Sequence, residues 1–199
     1  MKTKNIFLLT LLLILGVIPV SGQNKTSLFN GKDFNGWLVP ENNIWWTIHE
    51  GTIKVKSDPQ KRESVLWTNT SYENFILELE FKFGDGTVDS GIFLRDITQQ
   101  IQLGISSSLK RDMTCSPYIE GLGYPIEASG VADLLELNDW NHIVIKVIDN
   151  HYTVWLNEKK VMTYSSTNPP KKGPIGLQLH QSHEMEISFR SLFISEIIH

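Results

Sequence analysis

The chain has 199 residues, 41% of them hydrophobic and 20% charged, with a formal net charge of -4 and a single cysteine. That length holds one domain with a substantial core and hardly two. The lone Cys115 excludes an internal disulfide, and an acidic balance without any basic tract excludes a surface that tracks a phosphate backbone, so nucleic acid is not an expected partner.

In chain order, Met1-Lys2-Thr3-Lys4 is a short basic start, followed by an apolar run from Ile6 to Ile18, then Pro19 and the small residues Ser21 and Gly22. This succession is that of a secretory signal peptide over residues 1–22. The apolar run is too short to make a comfortable span, so no integral membrane segment is expected after cleavage. Cys115 lies far from the junction, which removes the acylation route. The expected product is secreted or periplasmic, not a lipoprotein, and consists of one domain over residues 23–199. Loss of Lys2 and Lys4 moves its formal charge from -4 to -6.

From Leu28 onward, short alternating apolar runs are separated by Gly, Pro, Asn and Asp, with no sustained helical period. The opening segment, Phe29 to Trp37, is rich in Gly and Asn and reads as an ordered loop whose Phe29, Phe34 and Trp37 plug one end of the fold. Predicted strands follow over 45–49, 52–56, 64–68, 75–83, 90–95 and 100–105, then 141–148, 151–156, 159–164, 175–180 and 186–197. About eleven strands in one domain predict an all-β two-sheet sandwich or a barrel. Glu50-Gly51 and Asp149-Asn150 read as hairpin turns, because these residues tolerate positive φ, and Gly84-Asp85-Gly86 reads as a third turn. Residues 106–137 show no period and carry Ser106-Ser107-Ser108, Pro117, Gly121, Gly123, Pro125 and Gly130. A connection this long in a compact domain is often functional, and it is expected to wall a binding site, with one short helical turn near Val131 to Leu135.

Three strands carry polar groups opposite an aliphatic face. In the run 175–180, Ile175, Leu177 and Leu179 alternate with Gly176, Gln178 and His180; in 90–95, Ile92 and Leu94 oppose Gly91, Phe93 and Arg95. In 100–105, Ile101, Leu103 and Ile105 oppose Gln100, Gln102 and Gly104. All aliphatic faces of a sandwich share the core, so Arg95, Gln100, Gln102, Gln178 and His180 are expected to share the other face of one sheet. A guanidinium at the end of a core strand needs a partner, and Arg95 is either paired with Asp96 or Asp89 or is a ligand clamp.

Asp89 precedes Ser90-Gly91 and is the best-placed carboxylate, although an Asp in that setting also forms turns. Glu78 and Glu80 alternate with Leu77, Leu79 and Phe81 and read as a solvated face, as do Glu184 and Glu186. His180 has only His183 at metal-ligand spacing, a weak signal beside the plainer reading of a hydrogen-bonded structural imidazole. Of the tryptophans Trp45, Trp46, Trp67, Trp140 and Trp155, most belong in the core, and Trp155, opposite Val154 and Leu156, is the one that could face a sugar ring.

The ordered combination of Leu28-Phe29-Asn30-Gly31-Lys32-Asp33-Phe34-Asn35-Gly36-Trp37, Asp89-Ser90-Gly91-Ile92-Phe93-Leu94-Arg95, Trp140-Asn141, Trp155-Leu156-Asn157, Gly176-Leu177-Gln178-Leu179-His180 and Ser188-Phe189-Arg190 resembles the 3-keto-disaccharide hydrolase family, also described as 3-keto-glucoside lyase/hydratase. The resemblance implies a concanavalin A-like jelly-roll sandwich of two curved antiparallel sheets with its site on the concave face. It also implies export by a glycan-degrading bacterium of the Bacteroidetes type, and a small carbohydrate or glycoside as partner. The chain departs from the family pattern at Gln100, where a Glu is usual, at Gly104-Ile105, where an Asp commonly follows, and at Ser191, where an Asn is usual.

Two functions follow as expectations. The first is cleavage of 3-keto-glycosides by elimination and hydration, with His180 as base or hydrogen-bonding partner, Arg95 on the ketone oxygen and Gln100, Gln102, Gln178, Asp89 and Trp155 around the sugar. A divalent metal could take the place of Arg95 as electrophile, and no other cofactor is indicated. The second is a non-catalytic glycan-binding module, favoured by Gln100. An ordinary glycosidase would need two carboxylates facing one another across the site. Sugar, linkage, aglycone and oligomeric state are not legible.

Overall fold

The structure, a computed structural model, describes residues 25–198, so the expected signal peptide lies outside the described residues. Two antiparallel sheets account for nearly all regular structure. The first, of eight strands, runs in the order β13 (Lys159–Ser165), β12 (His151–Leu156), β11 (Asn141–Ile148), β6 (Phe75–Gly86), β15 (Met185–Glu196), β4 (Thr52–Lys56), β3 (Trp46–His49), with β1 (Lys25–Ser27) on the far half of β15. The second, of seven strands, runs β10 (Pro117–Ile119), β8 (Gln99–Ser106), β7 (Asp89–Leu94), β14 (Ile175–Leu179), β5 (Ser64–Thr68), β2 (Trp37–Leu38), with β9 (Arg111–Asp112) beside β8. In the second sheet β14 lies between β7 and β5, strands from distant parts of the chain, as in a jelly roll, which is the expected all-β sandwich.

The alternation read in the sequence explains the layering. Leu77, Leu79 and Phe81 of β6 and Ile143, Ile145 and Val147 of β11 meet Ile92 and Leu94 of β7, Ile101 and Leu103 of β8 and Leu177 and Leu179 of β14, all essentially without exposure. Each such side chain contributes about 1.5–3 kcal/mol when fully buried, so this interface dominates stability. Phe29 and Trp37 join that core, and Phe34 packs against it. The strands of the first sheet alternate buried and half-buried, so its outer face meets water, whereas β7 and β14 are buried throughout.

Several boundaries differ from expectation. Residues Gly84 to Gly86 are not a turn: β6 continues through them, and Gly86 pairs with Met185. Glu50 and Gly51 do form a tight turn, both with positive φ (47° and 73°). The irregular segment contributes the short strands β9 and β10 along the free edge of β8 and one 3-10 turn, Val131–Asp133. Arg95 leaves β7 with a φ of 70°, which swings its side chain away from the position that strict alternation assigned to it.

Candidate functional site

The outer face of the second sheet carries the site. The register Gly91 opposite Gln102, Phe93 opposite Gln100 and Gly176 opposite Phe93 places Gln100, Gln102, Gln178 and Phe93 on one face, opposite the aliphatics that enter the core. β10 continues the same face, since Tyr118 pairs with Gln100. A cavity of about 260 Å³ lies over these strands, floored by Phe93 and the glutamines, with Asp89 and His180 at one end. The irregular segment supplies its wall through Ser106, Ser107, Ser108, Tyr118, Glu120 and Tyr124, and Ile97 stands at the rim.

The polar groups form one connected chain. Gln100 Nε2 donates to Gln102 Oε1 (2.9 Å) and Gln178 Oε1 (3.0 Å), Gln102 Nε2 donates to Asp89 Oδ1 (2.8 Å), and Asp89 Oδ2 accepts from Ser107 N (2.9 Å) and from the Ser107 hydroxyl. Because Ser107 gives its only hydroxyl proton to the carboxylate, the 2.6 Å contact between Ser107 Oγ and His183 Nε2 has the imidazole donating. Ser107 thereby ties the wall to the loop after β14. His180 Nδ1 lies 2.8 Å from the carbonyl oxygen of Gln181, which only accepts. The proton of a neutral His180 is therefore on Nδ1, and Nε2 holds the free lone pair. Asp89 Oδ2 stands 3.8 Å from His180 Nδ1 and 3.9 Å from His183 Nε2, so one buried carboxylate faces two imidazoles.

Among the described residues, Gln178 Nε2 and Gln100 Oε1 make no hydrogen bond, and the only buried side-chain polar atom without a partner is Trp45 Nε1. Both glutamine atoms are therefore reachable from the cavity, one as donor and one as acceptor. Tyr124 adds a hydroxyl whose ionisation is pushed up to about 12, by burial first and also by the Asp89 carboxylate, against a hydrogen bond from Ser106. It stays an O–H donor at ordinary pH. At the other end of the floor Phe93 stacks on Trp67, ring centroids 5.4 Å apart and planes at 21°.

The structure thus brings together Gln100, Gln102, Gln178, Asp89 and His180, and it does not bring Arg95 or Trp155 to them. Arg95 is 2% exposed and lies among other segments: Nε donates to Glu73 O (2.8 Å), Nη1 to Asp149 O (2.6 Å) and Pro170 O (2.9 Å), and Nη2 to Glu73 O and Asn74 Oδ1 (3.3 Å). Every N–H of the fork is used on groups of the protein itself, so Arg95 clasps three chain segments and is neither paired with Asp89 or Asp96 nor a ligand clamp. Burial pulls its pKa below the ordinary value. Trp155 does point out of the core, as its alternation implied, but from β12 of the other sheet, opposite Val144.

The metal reading finds little support in the donor set. Among the described residues no group of three or more His, Cys, Asp and Glu side chains is arranged to hold a metal ion. In the His180 and His183 pair, His183 directs its Nε2–H at Ser107, and the Asp89 oxygens are committed elsewhere. Asp89 and Glu120 are the two carboxylates on the cavity, and both Asp89 oxygens accept hydrogen bonds from Gln102 and Ser107 while Glu120 accepts none from a side chain among the described residues, so the two are not the equivalent opposed pair of an ordinary glycosidase. Ser107, Tyr118, Glu120 and Tyr124 were not singled out from sequence, and the one signal for them was the aperiodic stretch that holds all four.

Comparison with known proteins agrees with this architecture. Residues 24–195 match the family described as 3-keto-alpha-glucoside-1,2-lyase-like domain. Among solved structures, two candidate glycosyl hydrolases from Parabacteroides distasonis superpose with TM-scores of 0.66 and 0.63 at 18% and 24% identity, each over 87% of this chain and over 94% and 99% of their own. A carbohydrate binding module from Bacillus subtilis superposes with a TM-score of 0.55 at 14% identity, over 81% of this chain and 96% of that one. At these identities the likeness is one of fold. No curated protein matches the sequence. The chain belongs to the 3-keto-alpha-glucoside-1,2-lyase-like family and has the fold shared by glycosyl-hydrolase-like and carbohydrate-binding jelly rolls.

Proposed function

We propose that the chain is an exported enzyme that cleaves 3-keto-glycosides by elimination followed by hydration. The observation that carries this reading is a cavity holding an imidazole with a free Nε2 beside uncommitted hydrogen-bond donors, without a free carboxylate pair. A ketone at C3 acidifies the C2 proton, so the chemistry needs one base and donors for the enolate oxygen. In the first step the C2–H bond breaks, the proton passes to His180 Nε2 and the electron pair forms the enolate, whose oxygen faces Gln178 Nε2 and the Tyr124 hydroxyl. In the second, the pair returns to form C1=C2, the C1–O bond breaks and the aglycone oxygen leaves with the proton that His180 Nε2 took from C2. Water then adds across the double bond, hydroxyl to C1 and proton to C2, giving net hydrolysis. The electrophilic role that the sequence suggested for Arg95 falls here to these donors.

The test is incubation with a 3-keto-glucoside and with its parent glucoside, following release of the aglycone. Turnover of the keto sugar alone is expected, and turnover of the parent overturns the mechanism. Gln100, in place of the usual Glu, favours a second reading as a glycan-binding module, which binding of either sugar without turnover would establish. Export rests on the basic start, apolar run and small-residue junction of residues 1–22. Mass spectrometry of the exported protein is expected to find Gln23 first, and an intact Met1 overturns it.

A further inference from the structure

A glutamine side chain can be turned end for end with little steric change, so three adjoining amides have two coherent arrangements, and something must choose between them. At this site the chooser is a carboxylate. An ionised carboxylate only accepts, so Gln102 must present Nε2 to Asp89 Oδ1 and Oε1 to Gln100. Gln100 then directs Nε2 at the oxygens of both Gln102 and Gln178, and the Ser90 carbonyl, a longer and weaker acceptor at 3.3 Å, favours the same direction. Gln178, having spent its oxygen, is left with Nε2 toward the cavity. The other end of the chain cannot reverse, because Asp89 Oδ2 is held by a backbone donor, Ser107 N–H, that has no alternative orientation.

We propose that Asp89 is a positioning residue that sets the direction of the Gln102, Gln100 and Gln178 amides, so that the pocket offers a donor, Gln178 Nε2, to an acceptor-only ligand oxygen such as a ketone. The choice of ligand oxygen rests on the reading of the site as one for keto sugars; the direction of the amides does not. The relay also gives Gln100 a purpose of its own. A carboxylate at position 100 could not donate to Gln102 and Gln178, so the amide there is what makes the chain continuous. The specificity that results is one of polarity: a ketone accepts and cannot donate, whereas the hydroxyl of the parent sugar does both, so a pocket ending in a donor tolerates both and one ending in an acceptor rejects the ketone.

The test is Asp89→Asn, which keeps the shape and removes the constraint. The single carbonyl oxygen at position 89 stays on Ser107 N–H, its amide nitrogen turns to Gln102, and the three glutamines reverse in turn, ending with Gln178 Oε1 toward the cavity. Side-chain amide resonances of the ligand-free protein read this directly. In the native chain the Gln178 NH2 is expected to show the exchange and shift of an unbonded amide and the Gln100 NH2 those of a bonded one, and the substitution is expected to exchange the two patterns. Unchanged patterns overturn the proposal, whether or not any sugar is turned over. Binding of a 3-keto-glucoside is then expected to weaken at least about tenfold relative to binding of the parent glucoside, as when a donor facing an oxygen is replaced by an acceptor. Equal losses for both sugars overturn the specificity claim. Gln102→Leu, which cuts the relay between Asp89 and Gln100 and leaves the residues at 89 and 178 unchanged, serves if Asp89→Asn does not fold, and a native-like preference in that protein is equally fatal.

Discussion

Gly91 and Gln100 occupy the same space in turn: a Cβ built on Gly91 would stand 2.0 Å from Gln100 Nε2 and 2.5 Å from its Cδ. The missing side chain on β7 is what lets the Gln100 amide lie across the strand and reach Gln178 on β14. Gly91→Ala is therefore expected to push Gln100 off both of its partners at an overpacking cost of about 1–3 kcal/mol. Affinity for a 3-keto-glucoside, measured by calorimetry, should fall while the protein remains folded. An alanine protein that binds as well as the native one would show that the amide relay is not needed.

His180→Ala is expected to abolish turnover of a 3-keto-glucoside and leave the fold intact. Its ring is partly exposed and makes one hydrogen bond, to a neighbouring carbonyl, so little packing is lost. Removal of a general base typically costs about 10²–10⁴ in rate. Thermal unfolding and initial rates measured together check both halves; a His180→Ala protein that unfolds at ordinary temperature would make the imidazole structural.

Arg95→Met is expected to act on stability and not on chemistry. It strips the donors from the carbonyls of Glu73, Asp149 and Pro170, which leaves partly buried acceptors without a protein partner at a cost of about 1–3 kcal/mol. The urea midpoint should drop, with turnover by the folded fraction preserved. Loss of turnover at full stability would return Arg95 to the site.

Tyr124→Phe should weaken binding of the keto sugar by the same factor at every pH from about 7 to 10, the range in which an ordinary tyrosine begins to ionise. The reason is that burial keeps the Tyr124 hydroxyl protonated up to about 12. A native affinity that declines from about pH 9 upward, with no such decline in Tyr124→Phe, would contradict that.

On the opposite sheet, Arg190 grips Glu80 through two 3.0 Å bonds and lies 4.0 Å over the Trp140 ring. The hydrogen bond from Arg190 holds the Glu80 carboxyl below its ordinary range, against some burial, with Ser191 helping. A depressed carboxylate pKa contributes stability that is fully present above the unfolded value, about 4.3, and is lost as pH falls through the folded value. Glu80→Gln should therefore destabilise the protein at pH 7 and much less at pH 3, by urea unfolding. An equal difference at both would mean that the pair contributes nothing through its charge.

The sequence by itself determined the layers. Period-two alternation in β6, β7, β8, β11 and β14 decided which side chains enter the core, because a strand has only two faces and water accepts only one of them. That same parity put Gln100, Gln102 and Gln178 on one side of their strands, and the aperiodic stretch at 106–137 marked where a wall would come from. Tertiary structure decided the rest, for reasons that parity does not contain. Alternation says that Trp155 points away from the core but not from which sheet, since both sheets have an outer face. It fails outright at Arg95, where positive φ ends the strand and turns a guanidinium toward carbonyls supplied by residues 73, 149 and 170. Asp89, Ser107 and His183 meet only because the second sheet sets β7 between β8 and β14, and that order is a property of long-range pairing, which no local pattern encodes.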